Sequence, residues 1–157
     1  MTTDQKHLLI VSHHPSRNTQ AMQQALLRGA VDDTIEAVST DVRSPFDTAA
    51  EHVCAADAII LFTPENLGYM SGALKDFFDR IYYPCLEHTQ GKPYALLVRA
   101  GHDGTGTCRG VTSITTGLRW REIRPPTVCR GDFSSDFIEN ARELGLIVAA
   151  SLDNGLI

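Results

Sequence analysis

Three short stretches carry residues whose types and spacing could do chemistry. The first, Ser12-His13-His14-Pro15-Ser16-Arg17-Asn18-Thr19, directly follows the apolar run Leu8-Leu9-Ile10. It crowds hydroxyls, an amide, two imidazoles and a guanidinium ahead of a helix expected to begin near Asn18. The N–H groups of a first helical turn have no helical acceptor and lie at the positive end of the dipole, so such a turn can cup an anion. The hydroxyls of Ser12, Ser16 and Thr19 and the Asn18 amide would add neutral donors, and Arg17 a cation. That set suits a phosphate monoester better than a carboxylate, because a dianion has three terminal oxygens to satisfy. A plain capped turn, with Ser16 or Asn18 as N-cap, accounts for the same residues. The second stretch is TPENLGYMSG (63–72) and the third RAGHDGTGTCRG (99–110), both rich in hydroxyl, amide or glycine.

Several familiar chemistries are missing. There is no GxxxxGK[ST], and no glycine between Ser12 and Thr19 to make a dinucleotide fingerprint. The first loop has neither the cysteine of a C-x5-R phosphatase nor the acidic residues of a receiver domain, and GYMSG (68–72) holds its serine one place too late for a nucleophile elbow. Adjacent His13 and His14 rarely converge on one ion and no carboxylate joins them, so no metal site is expected. Cys54, Cys85, Cys108 and Cys129 form no CxxC and no zinc spacing. They read as free thiols of a cytoplasmic protein.

The elements that must position these stretches alternate. Residues 7–12, 57–63 and 93–99 are near-continuous apolar runs, as in parallel strands covered on both faces. Residues 34–39 are more polar and read as an edge strand; 122–130, with Pro125 and Pro126, reads as a weak edge strand. Helical patterns fall near 18–29, 47–55, 70–82, 106–119 and 134–149. In the third, Met70, Ala73, Leu74, Phe77, Phe78, Ile81 and Tyr82 share one face, and Lys75/Asp79 and Asp76/Arg80 pair on the other. Alternation of this kind implies a parallel sheet with helices on both faces, which binds ligands beyond the carboxyl ends of its strands. The three chemical stretches follow the first, third and fourth strands, at that end of the sheet. At 157 residues, 43% hydrophobic and 21% charged, the chain is expected to form a single domain, 1–157. Net charge −5 argues against nucleic acid or an anionic membrane as partner, and no apolar run reaches the length of a signal peptide core or a membrane span.

The motifs resemble those of the flavodoxin-like FMN proteins, in particular the short NAD(P)H-dependent FMN reductase and quinone reductase branch. Seven positions separate Ser12 from Thr19, with Arg17 and Asn18 between, as in that family's first loop. The second motif is more specific: Pro64-Glu65-Asn66-Leu67-Gly68-Tyr69-Met70-Ser71-Gly72-Ala73-Leu74-Lys75-Asp76-Phe77-Phe78-Asp79-Arg80 follows the family's Pro, Gly, (S/P)-G-x-(L/M)-K and D-R. The resemblance implies a flavodoxin-like three-layer α/β sandwich, a five-stranded parallel sheet in order 2-1-3-4-5. It implies FMN, with its phosphate held by Ser12, Ser16, Arg17, Asn18 and Thr19 and its ring bordered by Pro64, Glu65, Asn66, Leu67 and Gly68. Ala100, Gly101, His102, Gly104 and Gly106 resemble the glycine-rich loop that edges the isoalloxazine, where glycine lets the backbone approach a flat ring and aim N–H groups at it. His102 would bond the flavin edge or a substrate, or lie in solvent.

The implied activity is electron transfer from NADH or NADPH through FMN to a quinone or another small-molecule acceptor, with no protein side chain needed as nucleophile. The site would be completed by a second subunit, hence a homo-oligomer. A flavodoxin-type one-electron carrier and a non-redox binding module of the same fold are the alternatives. Carriers tend to be more acidic and to sandwich the ring between aromatics; a non-redox module would be colourless when purified.

Overall fold

The structure, a computed structural model, describes residues 4–157. Residues 1–3, which open the stretch read above for a signal peptide, lie outside the described residues. The central strand β1 (Lys6–Ser12) pairs in parallel with β2 (Val38–Arg43) on one side and β3 (Ala58–Asn66) on the other. Beyond β3 come β5 (Pro93–Ala100) and then two short strands, β6 (Arg121–Glu122) and β7 (Thr127–Arg130), both parallel to β5. These two are one fifth strand broken in the middle, so the order is the expected 2-1-3-4-5. The break holds Pro125 and Pro126, which lack the N–H a sheet ladder needs.

The strands are apolar on both sides because helices cover both. Leu8, Ile10, Ile60, Phe62 and Leu97 point toward α1 (Arg17–Ala30) and α5 (Ser135–Asp153), whose Met22, Leu26, Leu144 and Val148 meet them. Leu9, Val11, Ile59, Leu61 and Val98 face α3 (Gly72–Leu86) and α4 (Thr105–Gly117), which supply Leu74, Phe77, Phe78, Ile81 and Val111. The expected stripe on 70–82 is thus core, and each such fully buried side chain contributes roughly 1.5–3 kcal/mol. Short α2 (Ala50–Ala55) follows a 3-10 turn at Pro45–Asp47 and packs Val53 into the same layer. Two pairs of polar tips in this layer bond to each other: Thr115 Oγ1 donates to Tyr94 Oη and Trp120 Nε1 donates to Thr89 Oγ1, each at 2.9 Å. On the opposite layer, α1 and α5 touch backbone to backbone. A Cβ at Gly29 would collide with the Arg142 carbonyl, and one at Gly145 with the Leu26 carbonyl.

Two expectations need correction. The edge strand lies at 38–43, not 34–39. Asp32 Oδ1 accepts from Thr34 N–H and hydroxyl, and the Asp153 carboxylate accepts from Glu36 and Ala37 N–H, so 32–37 is a pinned turn. The stretch after Pro64 is not a loop: β3 runs on to Asn66 and folds back as β4 (Tyr69–Met70), pairing Glu65 with Met70 and Asn66 with Tyr69.

Candidate functional site

The crossovers from β1 run one way to β2 and the other way past β1 to β3, so the crevice between the carboxyl ends of β1 and β3 is where this topology opens. The first loop leaves β1 there, its His13 N–H bonded to the Phe62 carbonyl at 2.9 Å. Ser12 is buried and its hydroxyl pairs with His14 Nδ1 at 2.8 Å. Ser16 is the N-cap of α1: its Oγ accepts from Thr19 N–H at 3.1 Å, and Thr19 Oγ1 accepts from Ser16 N–H at 3.0 Å. This is a capping box closed by threonine in place of the usual acid. Thr19 is buried, whereas Ser16, Arg17 and Asn18 are exposed. The N–H groups of Arg17 and Asn18 sit in the first helical turn, where no helical carbonyl reaches them. Burial, then the neighbouring His14, lowers the pKa of His13; burial lowers that of His14, with Ser12 opposing. His13 Nδ1 is buried without a hydrogen-bond partner.

The second and third loops are locked together through Glu65. Its carboxylate accepts from His102 N–H and from Gly104 N–H, each at 2.8 Å. The loop that follows β5 is thereby fixed on the hairpin that follows β3. Gly104 is the N-cap of α4 with φ of 71°, and a Cβ there would sit 2.9 Å from Val128 Cγ1. The next turn starts with Thr105 N–H bonded to Asp103 Oδ1 at 3.0 Å. Gly106 lies on α4 directly against the Gly68 carbonyl, and Gly110 against the Tyr69 ring, so the hairpin seats on that helix. Ala100 is buried, but Gly101 is exposed with nothing within 4 Å of where its Cβ would be. At the hairpin tip Leu67 and Gly68 both have positive φ, 53° and 74°. That pair makes the tight turn usually built from Asn-Gly, and here its first position is a fully exposed leucine.

The structure therefore brings Glu65, His102 and Gly104 into direct contact, and Gly68 with Gly106. Ser12, Ser16 and Thr19 are engaged with residues of their own loop. Two features escaped the sequence reading. One is the Glu65 carboxylate clasp; the residue was expected only to border the ring. The other is Phe46, which is 63% exposed and packs edge-on to His13 with centroids 6.4 Å apart. Its turn is tied to α3 by Arg80, which donates to the Pro45 and Thr48 carbonyls at 2.6 and 2.8 Å. Among the described residues, no group of three or more His, Cys, Asp or Glu could hold a metal ion, and no helix is long and apolar enough to cross a membrane.

An FMN phosphate suits the first loop: unpartnered N–H groups of Arg17 and Asn18, their exposed side chains and the helix dipole all favour an anion. A flat ring suits the open backbone at Gly101, while two neighbouring N–H donors are already taken by Glu65.

Known structures share this fold. An archaeal flavodoxin superposes with a TM-score of 0.77 at 19% identity, over 93% of this chain and 98% of its own. A WrbA-like flavodoxin from Agrobacterium tumefaciens gives 0.72 at 18% identity, over 94% and 96%. The apo form of an NADH:FMN oxidoreductase, EMOB, gives 0.72 at 16% identity, over 93% and 89%. No curated protein sequence matches the chain. The family model for NADPH-dependent FMN reductase matches residues 6–133, most of the chain. The chain belongs to that family, which makes it a flavin-dependent oxidoreductase with FMN as its cofactor.

Proposed function

We propose that residues 1–157 form one FMN-binding domain that takes electrons from NADH or NADPH and delivers them to a quinone or a similar small acceptor. The observation that carries this reading is the open backbone at Gly101, beside buried Ala100 and in a loop with no aromatic from 100 to 106. A nicotinamide needs an uncovered ring face, and this loop leaves room for one. Bound FMN supplies the two-electron redox chemistry. The chain's own residues hold and orient it: Ser16, Arg17, Asn18 and the first turn of α1 would take the phosphate. Residues 65–68 and 100–104 would border the ring, with Glu65 setting the shape of the second of these. Ser12 and Thr19 would act behind them, by fixing His14 and the start of α1. The protein would work in the cytoplasm, as a homo-oligomer whose second subunit completes the substrate site.

Anaerobic addition of NADH or NADPH to the FMN-loaded protein tests the reading. Flavin absorbance should bleach directly and return when a quinone is added. If neither nicotinamide bleaches it while a one-electron donor does so stepwise, the carrier reading replaces this one. Protein that binds no flavin at all would support the non-redox module.

A further inference from the structure

Two thiols meet where α2 packs on α3, away from the loops of the flavin site. Cys54, exposed near the end of α2, has its Sγ 4.0 Å from that of Cys85, which is buried in the last turn of α3. Cys85 Sγ donates to the Ala50 carbonyl at 3.8 Å. Lys92 Nζ donates to the Cys54 carbonyl at 3.3 Å and also to the Ala56 carbonyl, which ties down the end of α2. The other two cysteines have no thiol neighbour among the described residues. Cys108 is half-buried on α4, and Cys129 is buried on β7, with the Asn140 amide 3.9 Å from its sulfur.

We propose that Cys54 and Cys85 are a reactive dithiol that hydrogen peroxide converts to an intramolecular disulfide. Only Cys54 is open to an oxidant, and the Cys85 sulfur lies close enough to resolve what forms there. The Cys54 sulfur takes one peroxide oxygen, becoming a sulfenic acid as the O–O bond breaks and water leaves. The Cys85 sulfur then displaces that hydroxyl, forming the S–S bond and releasing a second water. The protein loses two protons and two electrons, and the hydrogen peroxide gains them. Burial, then the adjacent Cys54, pushes the Cys85 thiol up to about 12, and its proton leaves with the displaced hydroxyl as water. Closing the bond brings the sulfurs about 2 Å nearer. Cys54 sits on a six-residue helix that ends at Ala55, so this approach does not require a long element to move. The new bond would staple α2 to α3 across the seam that Arg80 already holds at its other end.

The test is mass spectrometry of the full chain after one equivalent of hydrogen peroxide, alkylation of the remaining thiols and digestion without reductant. The expected product is a monomer lighter by two hydrogens, with two of its four cysteines alkylated and a linked Cys54–Cys85 peptide pair that dithiothreitol separates. It should also melt at a higher temperature than the reduced protein. Cys85→Ser should leave a sulfenic acid at Cys54 that dimedone captures, and Cys54→Ser should leave Cys85 unmodified over the same time. The proposal fails if all four thiols stay free. It fails equally if Cys54 goes on to sulfinic acid while Cys85 remains a thiol, or if the main product is a dimer joined through Cys54.

Discussion

Replacing Glu65 by alanine removes one carboxylate and frees two backbone N–H groups 2.8 Å from its oxygens, those of His102 and Gly104. Hydrogen bonds to a charged group contribute roughly 1.5–3 kcal/mol each, and this half-exposed carboxylate belongs at the lower end. Two such bonds come to about 3 kcal/mol in favour of the closed loop, which corresponds to on the order of a hundredfold in its opening equilibrium. Amide hydrogen exchange reads that equilibrium residue by residue. In Glu65→Ala the amides of His102 and Gly104 should exchange at least about tenfold faster, allowing for partial replacement of the carboxylate by water. Amides in the middle of β5 should be unaffected. Glu65→Gln should fall between the two proteins, because its carbonyl can accept one N–H while its amide faces the other donor. Unchanged exchange at both amides in Glu65→Ala would show that the loop is held by Asp103 and the α4 helix start alone, and would refute the reasoning.

Other perturbations separate roles within the site. Gly101→Val should exclude flavin and leave a folded, colourless protein, because its Cβ enters open space; Gly104→Val should also lower the melting temperature, since it combines a positive φ with a close approach to Val128. Arg17→Ala should weaken FMN about tenfold, the lower end for a charge-assisted bond, with riboflavin unchanged; equal loss of both ligands would move the phosphate elsewhere. Thr19→Ala should instead cost about 1 kcal/mol of stability in urea titration, by opening the capping box. Burial holds His13 and His14 below the ordinary 6.5, so as pH falls through that value the unfolded chain takes up protons first and stability declines. Above it both histidines are neutral in both states and contribute no slope. Urea midpoints measured from about pH 8 to about pH 5 should therefore drop on the acid side, and drop less in His13→Phe.

The sheet was legible because parallel strands covered on both faces must be apolar throughout, and LLIV, AIILF and YALLV stand out as such. The double proline correctly marked the weak fifth strand. The second strand was placed four residues early because its start is set by Asp153, over a hundred residues away, whose carboxylate pins 36 and 37. The β3–β4 hairpin was hidden by its own turn. Leu-Gly carries none of the bias toward positive φ that Asn-Gly announces, and the pairing across it is only two residues deep. At the site, the polar first loop and the glycine-rich third were visible from composition alone. The Glu65 clasp was not, because its partners are backbone groups 37 and 39 residues away and no residue type betrays them. Phe46 lies outside the three chemical stretches, in the turn after β2, and no neighbouring residue type marks it as facing His13.

The glycine contact between α1 and α5 bears on the order in which this chain can assemble as it is made. Gly29 is synthesised early and Gly145 late, yet each helix backbone is the surface on which the other rests. Until α5 has left the ribosome, the face of β1 and β3 that carries Ile10, Ile60 and Phe62 has only α1 to cover it, and α1 has lost its neighbour. The layer of α3 and α4 has no such dependence, since all its residues come from the interior of the sequence. A fragment ending near residue 134, released from the ribosome, should thus protect the α3–α4 side from protease and leave α1 open to cleavage; protection of α1 at that length would show that the first helix docks without the last.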